Sequence, residues 1–223
     1  MSAPDKDAYS AEYFAALYGK VDESGNPQQT IFDRWRDGML VRLYARYGAK
    51  PIEQARVVDV GCGFGWLLDW FDDAAEVCGS DIAEHAIEMA HKRKPTRDYR
   101  VADLQQGAPF EGTFDLVLAI NLIEHLPEPE RGLDSIAALC APGSIVLVHM
   151  PTVNNWFTKW NYEFLYASDP THIYRPKGRD VANMFRERGF EVARHSFLPH
   201  WPAWLTRVWP LHPAYLAVYR YVG

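Results

Sequence analysis

The chain has 223 residues, 48% of them apolar, enough for one α/β domain whose core needs no disulfide staples. A formal net charge of −6 and a pI near 5.7 argue against a nucleic-acid or anionic-membrane binder, whose electrostatic footprint is basic. The three cysteines, Cys62, Cys78 and Cys140, have no paired spacing, which speaks against a disulfide framework or a zinc site and for a reducing cytoplasm.

In chain order, "MSAPDKDAYSAEYF" lacks the basic-then-apolar pattern of a signal peptide. No apolar stretch reaches the roughly 18 residues that span a bilayer. Residues 8–18 and 30–47 read as amphipathic helices, with Tyr9, Tyr13, Phe14 and Leu17 on one stripe and Ile31, Trp35, Leu40, Leu43 and Tyr47 on another. Between them "DESGNPQQ" is a loop by composition. A regular alternation follows. "ARVVDV" is a strand, "GWLLDWFDDAA" a helix, "EVCGSDI" a strand and "AEHAIEMAHKR" a helix. "DYRVADL" and the long apolar "FDLVLAINLI" are strands, the second of the fully buried kind. "PEPERGLDSIAALC" is a helix with prolines at its start, and "GSIVLVHMP" a fifth strand. "GRDVANMFRERG" is a helix closed by Gly189, and "FEVARHSFL" and "AYLAVYRYV" are the last two strands. The basic run "HKRKPTR" (91–97) reads as a solvated helix end.

Alternating β and α elements predict a Rossmann-like, doubly wound, seven-stranded sheet with helices on both faces. The last two strands lack a helix between them, so the sheet is expected to be mostly parallel with an antiparallel edge strand. Residues 1–50 are expected as a helical extension over the site. Residues 51–223 are expected as the core, with a lid insertion at 152–176 and a Trp/Pro-rich insertion at 198–213.

Ligands of doubly wound sheets sit beyond the carboxyl ends of the strands. The first such turn is Asp59-Val60-Gly61-Cys62-Gly63-Phe64-Gly65, and Asp81 follows 20 residues past Gly61, where a carboxylate can accept both ribose hydroxyls. The dinucleotide spacing G-x-G-x-x-G fails because Trp66 stands at its last position. Asp59 would repel a pyrophosphate. It suits a nucleoside that carries an ammonium group, which it can meet directly or through water.

These features resemble the class I S-adenosylmethionine-dependent methyltransferases. "VVDVGCGFG" is similar to the family's first motif, Asp81 in "GSDIA" to its ribose acid, and Asp103-Leu104 in "VADL" to the third motif, whose acid binds the adenine amino group. "FDLVLAINLIEHLPEPE" and "APGSIVLVHMP" resemble the fourth and fifth strand regions. The likeness runs from about residue 50 onward. It implies that Gly61 and Gly63 let the backbone lie close to the methionine tail and ribose. Cys62 would supply backbone near the carboxylate, Ile82 and Leu104 would sandwich the adenine, and Asn121 would face the methionyl end. S-adenosylmethionine is the cofactor implied.

Two segments supply candidate acid–base groups. Glu124-His125 resembles a pair found in relatives that methylate quinone precursors and other small molecules; its other role is to brace the pocket wall. In "DPTHIYRP" (169–176), His172 and Tyr174 would share a face if extended, and Asp169 and His172 could instead tie down the loop. His125, His172 and Tyr174 are thus the catalytic candidates. Between the segments, "NNWFTKWNYEFLYA" carries six aromatics from Trp156 to Tyr166, either a lid packed on the core or an aromatic wall over an apolar acceptor or the sulfonium. Tyr9, Tyr13 and Tyr18 could close the site from above. The eight histidines lack paired ligand spacing, so no metal is expected.

The expected activity is methyl transfer to oxygen or nitrogen of a small molecule, with no nucleic-acid partner, no integral membrane segment and a homodimer left open. Two alternatives share the same nucleoside site. One is a cyclase of the azetidine-2-carboxylate synthase type, which consumes S-adenosylmethionine and releases methylthioadenosine. The other is a non-catalytic S-adenosylmethionine-binding subunit, against which the intact glycines and three acids argue.

Overall fold

Consecutive residues of a strand point to opposite faces, so an uninterrupted apolar run demands cover on both sides. The computed structural model, which describes residues 9–18, 31–166, 169, 171–197 and 212–223, meets that demand with a seven-stranded sheet between helical layers. Its strands are β1 (Arg56–Val60), β2 (Glu76–Asp81), β3 (Asp98–Val101), β4 (Phe114–Ile120), β5 (Cys140–Pro151), β6 (Phe190–Phe197) and β7 (Ala214–Tyr221). The order is β3-β2-β1-β4-β5-β7-β6. β1 to β5 pair in parallel, and β7 runs antiparallel to both β5 and β6. The antiparallel pair thus forms one margin of the sheet, with β7 as the reversed strand and β6 outermost.

Among the described residues, six α-helices accompany the sheet: α1 (Ala11–Tyr18), α2 (Ile31–Tyr47), α3 (Glu84–Arg93), α4 (Pro129–Ala138), α5 (Trp156–Leu165) and α6 (Gly178–Arg186). Val58, Val117 and Val146 face a cluster that includes Leu133 and Ile136 of α4 and Val181 and Phe185 of α6. Their neighbours Val57, Leu116, Ile145 and Leu147 pack with Leu40, Leu43 and Tyr44 of α2 and Ile87 of α3. α2 therefore belongs to the core packing, although it precedes the first strand. No helix among the described residues is long and apolar enough to cross a membrane.

Three elements differ from the sequence expectation. The helix expected after β1 shrinks to a 3-10 turn over Leu67–Phe71. Two arginines take its polar groups: Arg97 donates to the Leu68 carbonyl at 3.1 Å and pairs with Asp69 and Asp72, and Arg93 pairs with Asp69. That carbonyl therefore serves a guanidinium rather than a continuing helix. β4 stops at Ile120, because Asn121 adopts a left-handed φ of 51° that ends the ladder. The aromatic segment folds as α5, opened by a capping box between Asn155 and Thr158. Only Thr158 and Tyr162 of this helix are buried, while Trp156, Trp160 and Phe164 are exposed, so one of its aromatics faces inward as a wall. The Trp/Pro-rich segment at 198–211 and the side chain of Tyr18 lie outside the described residues.

Gly65 carries a local constraint. Its φ is +74°, and a Cβ there would lie 2.6 Å from the Tyr99 hydroxyl oxygen. Tyr99 cannot easily yield, since its ring is buried and its hydroxyl accepts from Arg97 at 3.2 Å. Gly65→Ala is expected to lower stability by about 2–4 kcal/mol, from left-handed strain and overpacking together, read as a lower denaturant midpoint at unchanged slope.

Candidate active site

The parallel strands end along one edge, and the turns there are tied to one another. Gly61 and Cys62 amides both donate to the Ser80 carbonyl, at 2.7 and 2.9 Å, which seats the glycine loop on the end of β2. Gly61, Gly63 and Gly65 all have positive φ, so the loop can turn as tightly as the sequence suggests. Asp81 closes the loop from the other side: its carboxylate accepts from Gly63 N at 2.8 Å and from Ala83 N at 2.9 Å. Burial raises its pKa, against the lowering effect of these amides.

Asp59 is buried and its Oδ1 has no hydrogen-bond partner. Burial, with Asp81 and Asp37 nearby, pushes its pKa up to about 8. Arg36 offsets only part of this, and a buried acid with an unpartnered oxygen is the feature a bound cation would relieve. Cys62 is also buried, and its thiol is held well above the ordinary range by burial, so it is inert packing; its amide is already taken by Ser80. Asp103 caps the turn that follows β3, accepting from Gln105 N at 3.0 Å, and its other oxygen faces Gln106 Nε2 at 3.3 Å. Ile82 is half-buried, whereas Leu104 sits in the core cluster at 6% exposure and presents little surface to a ligand. Asn121 Oδ1 meets His149 Nδ1 at 2.8 Å.

A second polar group lies beside this crevice. Leu122 packs on Gly61, where an added Cβ would come within 2.9 Å of its Cδ1. The chain then turns through Ile123–His125. The backbone carbonyl of Glu124 accepts from Ile173 N at 3.0 Å and Tyr174 N at 2.9 Å, which fastens the turn after β4 to the segment before α6. This brings His125 and His172 together, with ring centroids 4.7 Å apart. Glu124 is fully buried, and neither of its carboxylate oxygens has a partner. Burial raises its pKa to about 8, with Asp169 adding to the effect. Burial lowers His125 to about 4, helped by His172, and lowers His172 as well. Both imidazoles are therefore neutral at pH 7.

Asp169, Thr171 and Tyr13 complete the group. Thr171 Oγ1 donates to Asp169 Oδ1 at 2.5 Å, Tyr13 donates to Asp169 Oδ2 at 3.2 Å, and His125 Nδ1 lies 2.9 Å from Thr171 Oγ1. Burial works to raise the Asp169 pKa, but the Thr171 hydroxyl and amide hold it below the ordinary value. Tyr9 covers His125 edge-on at 6.3 Å, and the Tyr162 hydroxyl meets His172 Nδ1 at 3.1 Å. α1 reaches this position because Phe14 is buried against Phe64, Ala83 and Ala86 beside the glycine loop.

Tyr174 corrects the expectation that it joins His172. Its hydroxyl donates to Met184 Sδ at 3.3 Å, and its ring packs on the core cluster, because the segment is anchored through its own amide. Thr171 and Tyr162 were not singled out from sequence; the Thr-His pair within "DPTH" was the available signal, and Glu124, named there with His125, proves fully buried. One donor atom from each of Glu124, His125 and His172 lies within 4.8 Å of the others. Ligands about 2.1 Å from a tetrahedral ion sit roughly 3.4 Å apart, so the group would have to contract to hold one.

Asp59 and Glu124 have raised pKa values, so the fold favours their protonated forms, and that stability is lost as pH rises toward about 8. The lowered histidines act in the opposite sense, but below their ordinary value of about 6.5. The Tm of the ligand-free protein is therefore expected to fall between about pH 6.5 and 8, and D59N/E124Q to flatten that slope.

A family model described as a methyltransferase domain matches residues 32–195. A ubiquinone biosynthesis O-methyltransferase from Aromatoleum aromaticum is 31% identical over 173 residues, covering 70% of this chain and 71% of that protein. One from Rhizobium rhizogenes is 27% identical over 163 residues, covering 63% and 65%. The chain thus spans about two thirds of the length of these curated relatives. The crystal structure of magnesium protoporphyrin IX methyltransferase from Synechocystis PCC 6803 with bound SAH superposes with a TM-score of 0.67 at 17% identity, over 97% of each chain, a likeness of fold. With the matched residues covering most of the chain and the glycine loop and its acids in place, the chain belongs to the methyltransferase domain family, within the class I S-adenosylmethionine-dependent methyltransferases.

Proposed function

We propose that this protein transfers the methyl group of S-adenosylmethionine to a hydroxyl oxygen of a small-molecule acceptor. The observation that carries this reading is the neutral His125–His172 pair, set beside the glycine loop by the contact of Leu122 with Gly61. The relatives named O-methyltransferases support oxygen as the target. Nitrogen is the second acceptor to be screened.

The residues present fit the cofactor. Asp59 offers a buried carboxylate with an unpartnered Oδ1 to the ammonium, and Asp81 offers two oxygens to the ribose. Asp103 offers its carboxylate to the adenine amino group and half-buried Ile82 offers its side chain to the ring, while Leu104 stays in the core and Asn121 serves the methionyl end. When bound, S-adenosylmethionine supplies a methyl on a sulfonium whose leaving group is already good.

The chain's own work is then to position, desolvate and take a proton. His125 is half-buried and neutral, so one ring nitrogen can accept the acceptor's hydroxyl proton as the acceptor oxygen bonds to the methyl carbon. Tyr9, Tyr13 and Tyr162 exclude water around it. His172 lines the pocket beside His125 and helps keep it neutral. The three cysteines are free and buried, in keeping with a reducing, cytoplasmic compartment.

Incubation with methyl-labelled S-adenosylmethionine and a panel of hydroxylated and aminated aromatic compounds tests the reading. Label on oxygen is the expected result; label confined to nitrogen overturns the choice of atom. His125→Ala is expected to lower kcat by about 100-fold or more with cofactor affinity unchanged, measured by titration calorimetry and initial rates. Asp81→Ala is expected to weaken cofactor binding by roughly 1.5–3 kcal/mol.

A further inference from the structure

The identity of the free nitrogen on His125 follows from proton accounting around Asp169. Asp169 is ionised and accepts only. It takes the single hydroxyl proton of Thr171 at 2.5 Å on Oδ1, the Thr171 amide proton at 2.9 Å on the same atom, and the Tyr13 proton on Oδ2. With its proton committed, Thr171 Oγ1 turns lone pairs toward His125 Nδ1, 2.9 Å away. The Thr171 carbonyl oxygen lies 3.2 Å from the same nitrogen. Nδ1 thus faces two acceptors and no donor, so in the neutral ring it must carry the hydrogen, and Nε2 keeps the lone pair.

We propose that Asp169, acting through Thr171, is a positioning residue that sets the tautomer of His125 and presents Nε2 as the proton acceptor of the methyl-transfer site. The role of Nε2 rests on the function proposed above; the tautomer itself does not. Asp169 sits between the two halves of the site. Tyr13 reaches it from α1, which packs beside the glycine loop, and His172 Nε2 lies 3.7 Å from its Oδ2, too far for a hydrogen bond. The imidazole it steers stands on the turn after β4. An aspartate that only tied down its loop would place no demand on which ring nitrogen is protonated.

Asp169→Ala reverses the accounting. With the carboxylate gone, the Thr171 hydroxyl proton loses its acceptor and can turn toward His125 Nδ1, which favours hydrogen on Nε2. Removing the hydroxyl as well, in D169A/T171V, leaves the Thr171 carbonyl as the acceptor at Nδ1 and restores the first tautomer. Thr171→Ser keeps the hydroxyl and should leave it unchanged.

The test is 15N–1H correlation of the histidine rings in the full-length, ligand-free protein at pH 7, with His125→Gln identifying its signals. The expected pattern is a protonated Nδ1 on His125 in the wild type and T171S, a shift toward protonated Nε2 in D169A, and recovery in D169A/T171V. In parallel, kcat should fall by about 10- to 100-fold in D169A, partly recover in the double variant, and leave the cofactor KM unchanged throughout. A protonated Nε2 in the wild type, or an unmoved tautomer in D169A, overturns the proposal. If the tautomers respond as stated and no acceptor is methylated, the assignment of tautomer stands and the proposed function falls.

Discussion

The site depends on one backbone acceptor, the carbonyl of Glu124. By taking the amides of Ile173 and Tyr174 it locks the turn after β4 to the segment that leads into α6. Without that junction the two histidines belong to separate loops with no reason to meet. With it they stand ring against ring, and Thr171 is brought within hydrogen-bond reach of His125. The same turn starts at Leu122 against Gly61, so the junction also fixes the proposed acceptor side relative to the glycine loop. Both contacts to the Glu124 carbonyl are made by main-chain amides, which tolerates side-chain change while keeping the geometry.

Burial then sets the electrostatics. Glu124 and Asp59 are both removed from water and carry unpartnered carboxylate oxygens, one on each side of the site. Desolvation pushes both acids toward neutrality and both imidazoles away from charge. A site held mostly neutral suits a sulfonium donor, which loses its charge as the methyl group leaves, and an acceptor that must shed a proton. Asp169 is the exception. It keeps its charge through hydrogen bonds from Thr171, and so can dictate the direction of the neighbouring ones.

Much of the fold was legible because local pattern and chain order agree with it. Apolar runs separated by amphipathic segments require a covered parallel sheet, and the missing helix between the last strands required the reversal at β7. The glycine loop and the acids Asp59, Asp81 and Asp103 were legible for a related reason: each sits at or near a strand end, where the topology makes a ligand crevice. What sequence could not supply came from long-range contacts. Arg93 and Arg97 suppress the helix expected after β1 by occupying its carbonyl and acids. Tyr174 turns inward because its amide, not its ring, serves the junction at Glu124. The histidine pairing and the role of Thr171 arise between loops, where no periodicity operates. Spacing arguments about metal ligands have the same blindness, since Glu124, His125 and His172 converge only in the folded chain.

The most direct test of the account is the nucleoside product formed from S-adenosylmethionine by the pure protein, measured by mass spectrometry with and without a hydroxylated acceptor. Methyl transfer predicts S-adenosylhomocysteine, formed only with the acceptor and in equal amount to its methylated product. Methylthioadenosine accumulating without any acceptor would contradict it, and would mean that S-adenosylmethionine is itself the substrate.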